Sequence, residues 1–462
     1  MTTTTTTTLD RGLLKLAAVL VLGALAPLLD STIVTVAIHT LGVELHTSVS
    51  TVQWVSTAYL LALAMAVPIT GWSANRFGAK RMWIIALALF LIGSMLCGVA
   101  WNIGSLIAFR VIQGIGGGLM LPILQTILLR AAGRERIGRL MAVVTLPVVI
   151  GPILGPVIGG VLVGHLDWRW IFYVNAPICI AAIAFAARTL KPDPEPTAAT
   201  LDVPGLLLVS PALAGIIYGL SQVGDRGGFA HISVLLPLIL GAILLVAFVL
   251  RRTNEPLIDL GLFRTKSFTA STALMFLTGF GLYGAMLLLP LFYQQARGET
   301  VTAVGLLLVP QGIGSLIART AGGLTDRIGP RLVVLAGIVL TTIGTIPFAF
   351  AGTSYWVLGV ALVIRGAGLS SVNLAVMVGA FRDLEPVQIP HASSTTRIMQ
   401  QLGGAFGAAT LAVVLQSQLK SGTVSTAYAH SLAWAIGFTV IAAIPALFLG
   451  ARSGDASQRA TG

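Results

Sequence analysis

The residue that first invites chemistry is Asp30, within Ala26-Pro27-Leu28-Leu29-Asp30-Ser31-Thr32-Ile33-Val34. It stands roughly halfway along an apolar run, about 15 residues from either water interface if that run is a helix crossing a bilayer. A carboxylate at that depth costs on the order of 3 kcal/mol on insertion scales. Chains keep such an acid where it faces a bundle interior or a watery cavity and is used. If this chain moves protons, Asp30 is the group expected to carry them. No other Asp or Glu lies deep inside an apolar run. The alternative is a structural acid paired with an arginine, and the two roles can coexist.

Arg110 begins a second run, Arg110-Val-Ile-Gln113-Gly114-Ile-Gly116-Gly117-Gly118. Its guanidinium is always charged, so burying it demands a partner, and Asp30 is the one deep acid available. The alternative for Arg110 is a snorkelling interfacial side chain.

These residues need a membrane scaffold. Of 462 residues, 56% are hydrophobic and only 10% charged, against about 25% charged in soluble domains; the mean hydropathy is +0.93. Fourteen apolar runs are expected to span the bilayer, at 13–41, 53–74, 82–100, 104–129, 139–164, 170–188, 203–222, 232–250, 268–293, 302–321, 332–351, 355–379, 392–417 and 431–450. The net charge of +12 would suggest nucleic acid in a soluble chain, but here it is distributed by loop. Of the 28 Lys and Arg, 21 fall in loops or towards run ends on one side, four on the other, and Arg110, Arg319 and Arg365 are assigned to the runs themselves. That bias predicts a multi-pass plasma-membrane protein with both termini cytoplasmic and no nucleic-acid partner. Trp54, Trp72, Trp83, Trp101, Trp168, Trp170 and Trp356 lie near run ends, as an interfacial belt would. Cys97 and Cys179 lack metal-ligand spacing and read as packing residues.

Gly71-Trp-Ser-Ala-Asn75-Arg76-Phe-Gly78-Ala-Lys80 recurs as Gly322-Gly-Leu-Thr-Asp326-Arg327-Ile-Gly329-Pro-Arg331. Val111-Ile-Gln113-Gly114-Ile-Gly116 recurs as Val363-Ile-Arg365-Gly366-Ala-Gly368, in the same order. Two duplicated six-helix bundles are therefore expected at 13–190 and 268–450, with two inserted helices within 191–252. A linker at 253–267 should lie along the inner membrane surface, and the tails at 1–12 and 451–462 complete the chain; the Thr2–Thr8 tract is low in complexity and reads as disordered.

Together these motifs resemble the major facilitator superfamily, specifically its fourteen-span drug:proton antiporter branch. The loop after the second run is similar to the superfamily's loop signature, with Asn75 in the slot the family fills with aspartate and Asp326 keeping the acid in the second copy. Gly78 and Gly329 allow tight turns there. Asn75 removes one charge from the family's relay, so the loop reads as a gating hinge more than as an ion-pair switch. The resemblance implies that Arg110 lies near the proton-carrying acid and tunes it. Nearby positive charge favours the ionised carboxylate while desolvation favours the protonated one, a balance that access to either side could tip. Gly151-Pro-Ile-Leu-Gly155-Pro156-Val-Ile-Gly159-Gly160 resembles the motif that marks exporters; its glycines permit close helix approach and its prolines a kink. Leu29–Ala37 resembles the branch's first-span motif, with Thr35 and His39 as departures, and Trp168–Pro177 and Arg397–Gly404 are also typical of the branch.

The expectation is an all-α, proton-coupled antiporter exporting amphiphilic small molecules, working as a monomer by alternating access. Tyr59, Gln125, Tyr283, Gln311, Asn373 and Gln400 are candidate substrate contacts, although helix-to-helix hydrogen bonds are the commoner use of such groups. Scarce membrane acids favour neutral, zwitterionic or singly charged cargo over dications. No nucleotide-binding loop, metal site or catalytic constellation is apparent. No cofactor is expected beyond the proton gradient as energy source. The rival readings are an exporter dedicated to one antibiotic, metabolite or lipid, and a non-transporting membrane sensor.

Overall fold

The computed structural model describes residues 11–132, 154–155, 158–191, 200–318, 325 and 328–449, apart from 48, 227, 252, 254–255, 351, 383 and 386. The described elements are all helical. Eleven helices are long and apolar enough to cross a bilayer, or twelve if one bent pair counts as a span. Fourteen are therefore not reached among the described residues. Most of the expected run at 139–164 lies outside them, and the helix Val301–Ile317 matches the expected 302–321 but is short.

The first half begins with α1 (Arg11–Glu44), which carries Pro27 three residues before Asp30. It continues through α2 (Val49–Ala66), α3 (Ile69–Phe77), α4 (Ala79–Gly98) and α5 (Ile103–Ala132). Helices α2 and α3 form the bent pair, turning by 56° beside Pro68. After helical residues at 158–165, α6 (Trp170–Tyr173) and α7 (Asn175–Thr189) form one candidate span.

Next come α8 (Val203–Arg226) and α9 (Ile232–Leu250), the expected insert. Helix α8 packs on the first half through Trp54 stacked on Tyr218 and through Ser210, which donates to the Met65 carbonyl at 2.8 Å. Its Val209 and Leu213 also share a core with Ile398 and Leu402 of the second half. The linker does not display its apolar residues outward: Leu257, Ile258 and Leu262 are buried in the protein core.

The second half contains α10 (Lys266–Leu291), α11 (Val301–Ile317), α12 (Pro330–Thr345), α13 (Tyr355–Phe381), α14 (Ile389–Ser421), α15 (Val424–Ile441) and α16 (Ala443–Ala446). The duplication is visible in the backbone. Gly78 has φ 86° and ψ 143°, and Gly329 has φ 90° and ψ 156°, so both loop copies make the same turn in a region open essentially to glycine alone.

The cores are distributed unevenly along the bilayer normal. At the end carrying the glycine turns, one apolar cluster joins Leu124 and Leu128 to Leu374, Val378 and Phe381, and so crosses between the halves. At the opposite end, Leu41, Val52, Cys97 and Trp168 cluster within the first half, and Phe292, Phe348, Leu358 and Tyr428 within the second. The tryptophans divide in the same physical terms. Trp101 and Trp356 are exposed as a belt requires, whereas Trp83 and Trp168 are core residues.

Candidate functional site

Asp30 and Arg110 are fully buried and meet in a salt bridge of 2.5 Å. A permanently charged donor and the one deep acid thus find each other, as burial demands. Their surroundings supply the remaining hydrogen bonds. Gln113 Nε2 donates to Asp30 Oδ1 at 2.9 Å, and Asn175 Nδ2 donates to the same oxygen at 3.0 Å. Arg110 also donates to Gln113 Oε1 at 2.6 Å and, through Nε, to the Val55 carbonyl at 3.1 Å. The Tyr59 ring lies 4.0 Å from the guanidinium carbon, stacking a π face on the cation.

Ser94 ties the network together. Its Oγ accepts from Gln113 and Asn175 at 3.1 and 3.0 Å and donates to the Phe172 carbonyl at 2.9 Å. Four elements therefore converge: α1 brings Asp30, α4 Ser94, α5 Arg110 and Gln113, and α7 Asn175. Ser94 and Asn175 belong to this network, and the sequence did not single them out for it. Asn175 stands in the Trp168–Pro177 run, which was the one signal available for it.

Close packing holds these groups in place. A Cβ on Gly114 would come 2.5 Å from the Tyr59 carbonyl, and one on Gly93 would come 2.6 Å from the Gln113 backbone. Without those glycines α5 would stand off from α2 and α4. Beside Asp30, Ser31 and Thr32 return their hydroxyl protons to the Leu28 and Leu29 carbonyls of α1, which leaves the carboxylate to Arg110 and the two amides.

The arrangement is built for an anion. Among the described residues every group bonded to Asp30 is a donor, and Asn175 Oδ1 is buried with no hydrogen-bond partner. A protonated Asp30 would turn one oxygen into a donor, and rotating the Asn175 amide would offer it that idle acceptor.

The glycine motif after α5 touches this site. Gly155 packs on the Thr32 hydroxyl, and a Cβ on Gly159 would come 3.1 Å from the Ile33 carbonyl; Gly160 faces open space. Gly151 and Pro156 lie outside the described residues, as do Asp326 and Arg327.

The loop copy at Gly71–Lys80 contacts the other half. A Cβ on Gly71 would meet His391 Nδ1 at 3.0 Å. Asn75 Nδ2 lies 3.4 Å from His391 Nε2, and Asn75 Oδ1 accepts from Arg130 at 2.8 Å. His391 Nδ1 contacts the Leu257 carbonyl at 3.1 Å, and Thr70 and Ser394 share a hydroxyl hydrogen bond. Asn75 therefore works as a neutral bridge between halves, in the slot where the resemblance places an acid; Arg76, one residue on, is exposed.

The six candidate substrate contacts have different partners. Tyr59 belongs to the Arg110 site, Gln311 accepts from Arg365 at 2.8 Å, and Gln400 accepts from Arg397 at 2.9 Å. Among the described residues Gln125 is buried with no partner for its Oε1, Tyr283 packs on Gly404, and Asn373 is half-buried on α13.

This geometry can be set beside known proteins. The family model described as Major Facilitator Superfamily matches residues 20–408. The chain belongs to the Major Facilitator Superfamily. It is a multi-pass membrane transporter and not an enzyme. It is 39% identical over 418 residues to the "Multidrug resistance protein B homolog" of Mycobacterium tuberculosis, covering 89% of this chain and 77% of the relative. To "Multidrug resistance protein 3" of Bacillus subtilis it is 30% identical over 397 residues, covering 84% and 77%. Among solved structures, the proton:xylose symporter XylE superposes with a TM-score of 0.65 at 17% identity, covering 95% of this chain and 96% of that one. That likeness shows the superfamily fold alone.

Proposed function

We propose that this transporter is a proton-coupled drug antiporter. It would export amphiphilic small molecules from the cytoplasm by alternating access, with Asp30 as the proton carrier. The observation that carries the reading is the buried Asp30, held in a cage of donors beside an idle acceptor. Relatives named as multidrug resistance proteins support the export of drugs. On this reading the charged loop ends face the cytoplasm, the chain crosses fourteen times, and both termini are cytoplasmic. The halves are joined at the end with the glycine turns and hold separate cores at the other. The conformation is then closed to the cytoplasm. Protonation of Asp30 from outside would release cargo, and deprotonation inside would permit loading.

The test is transport in proteoliposomes with rhodamine 123 as cargo. An imposed pH gradient should drive dye uphill, and collapsing that gradient with nigericin should stop it. Uphill movement that persists without the gradient would exclude proton coupling.

A further inference from the structure

The second half holds a buried cation that the proton reading leaves unexplained. Arg365 lies ten residues into α13, about 15 Å along the helix axis and so near mid-membrane. It is only 3% exposed. Its motif copy in the first half is Gln113, which sits against the Asp30–Arg110 pair.

Arg365 has no such acid. Among the described residues its partners are the Gln311 side chain at 2.8 Å and the Gly281 carbonyl at 3.5 Å, and its Nε is buried with no partner. The sequence extends the point, because the apolar runs from 268 to 450 contain neither Asp nor Glu. Arg397 on α14 adds a second cation to this half, bonded to Gln400.

A guanidinium cannot shed its charge by losing a proton, and a buried charge without a counter-charge is strongly unfavourable. A fold retains such a group where something else supplies the negative charge. The helix packing holds this one in place. Gly366 packs directly on the Gln311 backbone, and a Cβ on Gly344 would come 2.5 Å from Arg365 N. The result is a preorganised fork whose Nε, unpartnered among the described residues, is left to donate to a planar oxyanion.

We propose that Arg365 anchors a substrate subsite for an anionic group, so that the favoured cargo is an amphiphile bearing a carboxylate. The inference rests on the exporter reading, in which the space between the two halves opens to each side in turn. With Asp30 able to carry a proton in one half and Arg365 to hold an anion in the other, a zwitterionic drug would find a complementary group in each.

The test uses two dyes with one xanthene core: rhodamine 110, a free carboxylic acid, and rhodamine 123, its methyl ester. Binding to the full chain in phosphatidylcholine nanodiscs is read by fluorescence anisotropy. The wild type should bind the acid at least tenfold more tightly than the ester. Arg365→Gln should lower the acid-to-ester affinity ratio at least tenfold, and Arg365→Lys should keep part of it. Gln311→Glu supplies the missing carboxylate from within, so it should erase the acid preference while keeping the fold. Three results would overturn the proposal: no acid preference or no acid binding in the wild type, a preference that survives in both Arg365→Gln and Gln311→Glu, or equal loss of both dyes in folded Gln311→Glu. Competition by added phosphatidylglycerol for the acid dye would assign the anion to a lipid and overturn the cargo assignment. The exporter reading fails separately, by the absence of gradient-driven rhodamine 123 movement.

Discussion

Arg110, Gln113 and Asn175 together satisfy both oxygens of Asp30. Removing one member should therefore damage the fold more than removing the pair. Arg110→Ala leaves a buried carboxylate without its counter-charge, so a loss of about 3–5 kcal/mol is expected. The Asp30→Asn, Arg110→Gln double variant should recover most of that stability and still fail to pump. Thermal unfolding in detergent, beside a transport assay, separates the two effects; equal destabilisation of the single and double variants would contradict the pairing argument. At this scale the sequence was informative for charge and for Gln113, which stands in the Arg110 motif, but not for the other neutral polar groups around Asp30. Asp30 and Arg110 stand out because ionised groups are expensive in an apolar run. Ser94 and Asn175 do not, since short polar residues in membrane helices usually serve helix contacts, and only the fold shows that theirs is with Asp30.

At the scale of elements, two predictions concern the loop copies. Gly78 and Gly329 share a backbone conformation that a Cβ disfavours. Alanine at either position should destabilise by about 1–3 kcal/mol, by similar amounts in both halves. Denaturation of Gly78→Ala and Gly329→Ala side by side checks this, and a loss at only one site would argue against equivalent turns. Gly71 lies against His391 of α14 at the joined end. Gly71→Leu should wedge α3 from α14 and favour the opposite conformation. Spin labels on α3 and α14 should then move apart, while an unchanged distance would remove the latch role of this contact. The repeated motif was legible as a turn from glycine spacing alone. The 56° bend between α2 and α3 and the seating of Asn75 between Arg130 and His391 were not, because both depend on a partner helix far away in sequence.

Over the whole molecule, hydropathy was enough to find the membrane helices, since each span must satisfy its own backbone in lipid. It was weaker for counting them: α11 is short, and most of 139–164 lies outside the described residues. It was silent on which end is closed, because closure depends on an apolar core shared between the halves, the cluster that holds Leu128, Leu374 and Phe381. The fourteen-span topology predicts that single cysteines at Lys80 and Arg331 react with a membrane-impermeant maleimide only from the cytoplasmic side. Cysteines at Arg226 and Lys420 should react from outside. Labelling of Lys80 and Lys420 positions from the same side would rule that topology out.

The most direct measurement of the central claim compares wild type and Asp30→Asn in proteoliposomes under one imposed pH gradient, following rhodamine 123. The account predicts that the folded Asp30→Asn variant moves dye only down its own concentration gradient, without response to pH, while the wild type accumulates it uphill. Uphill pumping with undiminished pH dependence in the variant would contradict it.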